Sequence, residues 1–154
     1  MQTFLPHPDF VASAKALDYR RLGKQRTECM QILKAMKGGG WSSHPATVMW
    51  IGYEKTLVLY WLVMCREWKS RGYVDNQEPL ALAHLDTLAG VKAERPWWLG
   101  VPAFHASHRS NLLRKDADFF GVHGWTEDPT KPYLWPRPCG RFRIGNTNYL
   151  LTAA

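Results

Sequence analysis

At 154 residues, with 45% hydrophobic and 21% charged residues, the chain has the makeup of a soluble globular protein able to bury about two thirds of its unfolded surface in one core. Lys and Arg outnumber Asp and Glu by 20 to 13, a net charge of +7 that favours partners carrying phosphates. The three cysteines, Cys29, Cys65 and Cys139, form no CxxC pair, which argues against a disulfide framework or a zinc site and for a reducing cytoplasm, and neither a membrane span nor a targeting segment is expected.

Pro6 and Pro8 deny helix to the residues before them, so the chain starts extended, and Asp9 is placed to cap a helix from Phe10. The second helix is predicted over Leu17–Met36, with Asp18 as its cap. On it Arg21, Lys24, Gln25 and Glu28 fall at i, i+3, i+4 and i+7, one face, while Leu22, Cys29, Leu33 and Met36 make a buried stripe. Gly23 inside this helix marks either a close approach by another group or a bend. Seven cations lie between Lys15 and Lys37. The glycines at 38–40 end the helix, and His44–Pro45 opens another, with His44 at a terminus whose dipole favours anions. From Ala46 to Arg71 the residues are apolar nearly all round, which predicts a continuous core helix ended by Gly72. Pro79–Leu88 reads as a short amphipathic helix, Trp97–Trp98 as loop, and Pro102 opens a helix over 102–116. After Phe119 the Gly, Pro and aromatic content predicts a loop folded over the body, and the tail FRIGNTNYLL a small hairpin. The expected architecture is all-α, one domain over 1–154, with an irregular aromatic-rich C-terminal segment.

One carboxylate among cations on a rigid helix face suits a polyanion site with acid/base chemistry; the same spacing also fits a solvated face on which Glu28 pairs with Lys24 or Gln25. His105, His108 and Arg109 share adjoining parts of the helix opened by Pro102, where they suit a phosphate or, equally, structural hydrogen bonds; no carboxylate or cysteine completes a metal set. Trp97, Trp98, Trp125, Tyr133 and Trp135 either stack on an unpaired base or fill the core. Nucleotide-binding glycine fingerprints, a Walker lysine loop, a GxSxG elbow and an HExxH helix are all missing from the sequence.

Five segments, Met1–Phe10, Leu17–Glu28, Gly40–Glu54, Pro102–Asp116 and Pro132–Pro136, together resemble the pyrimidine-dimer DNA glycosylase/AP lyase family of endonuclease V type, and within it a small bacterial and phage branch. Residues 137–154 form an extension beyond the family-like region. The resemblance implies a compact helical enzyme acting on DNA without metal or cofactor. In such enzymes an N-terminal amine, exposed by Met removal, attacks the sugar C1′, and a Glu following an Arg on the first long helix assists. Tyr19-Arg20-Arg21-Leu22 is similar to the Tyr-Arg-Glu-Leu of that helix, so Arg21 stands where the acid belongs, and Gln2 is bulky for Met removal. Glu28 then serves as acid/base, with the amine of Met1 or of Lys24 as nucleophile. An α-amine titrates near 8 and a free lysine near 10.4, which favours the terminus. On this reading His108 assists the chemistry, Arg20, Arg21, Gln25, Arg26, His44, His105, Arg109 and Lys115 hold phosphates, and Tyr133 and Trp135 stack on the base. The expected activity is cleavage of the glycosidic bond of a damaged or modified pyrimidine, with or without strand cleavage at the abasic site. A hydrolytic version using Glu28 as base needs no Schiff base. A non-catalytic DNA or nucleotide binder and an enzyme on free nucleotides or nucleosides remain alternatives.

Overall fold

An extended N-terminal segment, capped off by Asp9 where its carboxylate accepts from the amides of Val11 (2.7 Å) and Ala12 (3.3 Å), leads into α1 (Phe10–Ala16). This is a computed structural model, which describes residues 1–152. The second helix, α2 (Tyr19–Ala35), starts two residues later than its periodicity suggested. Asp18 occupies its cap position but makes no capping bond; its carboxylate takes the guanidinium of Arg21 at 3.1 Å instead. Gly23 is a point of close approach, not a bend, since a Cβ there would lie 3.1 Å from the Trp68 ring.

The long apolar run from Ala46 to Arg71 is two helices, α3 (Pro45–Val48) and α4 (Glu54–Ser70). Between them Gly52 adopts φ +85°, a left-handed turn that no continuing helix tolerates. Apolar counting missed the break because both pieces bury their residues: Trp50, Leu57, Tyr60, Trp61 and Cys65 are fully enclosed. As expected, α4 is central, packing against α1, α2 and α5 (Glu78–Thr87). The helix α6 (Pro102–Lys115) is followed by the short α7 (Ala117–Phe120) and a single 3-10 turn, Gly121–His123.

The C-terminal region carries more order than the sequence signals. Strands β1 (Leu134–Pro136), β2 (Arg141–Ile144) and β3 (Leu150–Thr152) form an antiparallel sheet in that order, with Trp135 paired to Arg143 and Arg143 to Leu150. The hairpin expected in the tail is β2–β3, whereas β1 lies where the Gly, Pro and aromatic content predicts loop. Phe142 is 1% exposed and packs on Trp97 and Phe104, so the segment beyond residue 136 contributes to the core. The fold is thus mainly α with a small sheet attached.

Candidate active site

Residues 1–5 are laid through the middle of the molecule, and their backbone is held by side chains from three helices. Gln25 of α2 accepts from the Phe4 amide at 3.1 Å and donates to the Gln2 carbonyl at 3.0 Å. From α6, His108 Nδ1 accepts from the Leu5 amide at 3.0 Å and His105 Nδ1 donates to the Leu5 carbonyl at 2.8 Å. Tyr60 of α4 donates to the Phe4 carbonyl at 2.9 Å. A buried extended segment without a strand partner needs such a set, because each unpaired backbone group costs about as much as a lost hydrogen bond.

At its free end this segment meets Glu28. The carboxylate accepts from the Gln2 amide at 2.9 Å and lies 3.4 Å from Gln25 Nε2, so the i, i+4 pairing with Lys24 is not what occupies it. Around this contact opens a cleft of about 1040 Å³. To it α2 supplies Arg20, Arg21, Lys24 and Glu28, the end of α6 supplies Lys115, and Met1, His44, Tyr133 and Trp135 complete the lining named from sequence. Among the described residues neither Lys24 nor Lys115 makes an ion pair, which leaves both charges available to an anion. Burial lowers the Lys115 amine, and the like charges of Arg21, Arg114 and Lys24 lower it further against the pull of Glu28. His44 is lowered by burial, by the positive charge of the chain's amino group and by Arg143. Its Nδ1 accepts from the Ala46 amide at 3.1 Å, which keeps the imidazole proton on Nε2. Burial pushes the Tyr133 hydroxyl up to about 12, so it stays protonated.

Five residues predicted for the site sit elsewhere. Gln25 is fully buried as the clamp just described. Arg26 turns to the far side of α2, where it binds Asp75 at 2.7 Å and Asn76 at 3.2 Å and lies over the Trp68 ring. His105 and His108 are 2% and 0% exposed; burial drives His105 down to about 4 and His108 well below its usual range, so both are neutral supports for the floor. Arg109 is spent on Glu127 and the Pro6 carbonyl. Of the aromatic candidates, Trp98 is enclosed, and Trp97 and Trp125 pack on Phe142 and Phe120. Sequence reasoning passed over two features: the Gln2 amide as partner of Glu28, which no motif signals, and Trp41, whose neighbouring glycine run was the available clue.

A carboxylate beside the start of the chain, inside a hollow whose cations include the unpaired Lys24 and Lys115, is equipment for acid/base work on a polyanion. The family model described as pyrimidine dimer DNA glycosylase matches residues 1–79. The chain belongs to that family. The family is one of DNA glycosylases, and the matched region holds Met1, Glu28, the α2 face and His44. The glycosylase family's match ends before α6, the sheet and the residue that leads into it, which furnish Lys115, Trp135 and Tyr133. No curated protein and no solved structure matches the chain. Among the described residues no three His, Cys, Asp or Glu side chains gather to hold a metal ion, and no helix is long and apolar enough to cross a membrane.

Proposed function

We propose that the protein excises a damaged or modified pyrimidine from DNA and cleaves the strand at the resulting abasic site, with the amino group of Met1 as nucleophile and Glu28 as acid/base. The observation that carries this reading is the 2.9 Å bond from the Gln2 amide to Glu28, which holds the carboxylate one residue from the chain's amine inside the cationic cleft. The neutral amine attacks C1′, the glycosidic bond breaks, and the base leaves with the bonding electron pair and takes up a proton from solvent water. Glu28 accepts the proton released by the amine and returns it to the ring oxygen as the sugar opens to a Schiff base. Loss of a C2′ proton then expels the 3′ phosphate, and water releases the product. Arg20, Arg21, Lys24 and Lys115 hold the flanking phosphates, while Tyr133 and Trp135 face the base. If Met1 is removed, the freed amine is the Gln2 nitrogen already on Glu28.

Borohydride trapping on a duplex bearing an abasic site tests this. A covalent adduct mapped to the first residue supports it; an adduct on Lys24 moves the nucleophile, and no adduct with continued base release leaves the hydrolytic version. Binding without release of any base, or equal action on mononucleotide and duplex, removes the DNA glycosylase reading.

A further inference from the structure

Eight tryptophans are present, and seven of them are buried or packed against the core. Trp41 is the exception at 60% exposed, a large apolar surface left in water. It follows three glycines, two of which, Gly38 and Gly39, have φ of +116° and +117° with open space where a side chain would begin. Its position is specific in two ways. Trp41 lines a second hollow of about 480 Å³ together with Lys34 and Met1, and Met1 also lines the main cleft, so the two spaces share the first residue of the chain. Its ring also ends a row that starts inside the cleft: Tyr133 to Trp135 at 5.2 Å, Trp135 to His44 at 6.2 Å, and His44 to Trp41 at 5.5 Å between centroids.

We infer that Trp41 stacks on the base next to the reacting nucleotide in the same DNA strand, with Lys34 on the intervening backbone, and so holds the strand open around the lesion. A base presents an apolar face to the indole and its phosphate an anion to the lysine, the pairing used where proteins hold unstacked strands. The inference rests on the DNA reading proposed above, but its test does not require turnover. Binding is measured at fixed salt to a duplex with an uncleavable tetrahydrofuran abasic analogue at the target, the neighbouring base on each side being either kept or replaced by a second analogue. The wild-type protein is expected to lose about tenfold in affinity when one of the two neighbours is removed, the scale of a single stacking contact. Trp41→Ala is expected to bind the intact duplex about tenfold more weakly and to be indifferent to that neighbour, with Trp41→Phe keeping part of the sensitivity. A wild type indifferent to both neighbours, or a Trp41→Ala protein as sensitive as wild type, overturns the inference even where the borohydride adduct forms. Conversely, neighbour sensitivity without any adduct keeps the stacking and discards the Schiff-base chemistry, and no binding to any duplex discards both.

Discussion

The cationic face of α2 and the imidazole face of α6 carry the same kind of sequence signal, titratable residues at helical spacing, and the fold uses them in opposite ways. On α2, Arg20, Arg21, Lys24 and Glu28 open onto the cleft. On α6, His105 and His108 turn inward to the backbone of residues 1–5, and Arg109 closes on Glu127 and Pro6. What separates them is the buried N-terminal segment, which takes hydrogen bonds from α6 and ends at the carboxylate on α2. Spacing tells which residues share a face; only the neighbour of that face tells whether it does chemistry or holds a wall in place.

The largest expected effect breaks the α2 side. Glu28→Gln is expected to slow base release or strand cleavage by about 100- to 10,000-fold in single-turnover assays, with DNA affinity equal or higher because a negative charge has gone from a cationic cleft. Unchanged turnover would make Glu28 as purely structural as His105 and His108. Next comes the clamp. His108→Ala orphans the Leu5 amide and leaves a void, so chemical denaturation is expected to show a loss of about 2–4 kcal/mol. A neutral result would mean that the imidazole is not a support. Acid sharpens the same point. The unfolded protein protonates a histidine near 6.5, but native His105 waits until about 4 and His108 is also held well below its usual range, both because of burial. Between those limits the unfolded state binds more protons, so stability falls as pH falls from about 6.5, by at most about 1.4 kcal/mol per pH unit for each histidine. Melting temperatures measured from pH 7.5 down to 4.5 are expected to drop, and less steeply in His105→Gln. The smallest effect separates residues within α2. Lys24→Ala and Lys115→Ala are each expected to reduce the slope of log affinity against log salt by about 0.9. Arg26→Ala leaves that slope as it is, since its guanidinium is bound to Asp75 and Asn76 away from the cleft. An equal loss of slope from Arg26 would put it back among the phosphate contacts.

Much was legible in the residues themselves. The Asp9 cap, the long α2 with its buried stripe, the His44–Pro45 helix start, the core role of α4 and the tail hairpin all follow from local rules of capping, periodicity and turn chemistry. The family likeness and the grouping of Arg21, Lys24 and Glu28 on one face were equally local, the first through short motifs and the second through helix geometry. What the residues could not disclose was every feature that depends on which surface meets which. The break at Gly52 hides inside an apolar run because burial on both sides of it looks like one helix. The burial of His105, His108 and Gln25, and the meeting of Gln2 with Glu28 across 26 positions, exist because an extended segment threads between α2 and α6 and must find hydrogen bonds there. Sequence thus determined most of the helices and the side-chain chemistry each one carries. Tertiary packing alone decided which of those chemistries faces solvent, since exposure is a property of a side chain's neighbours and not of its spacing.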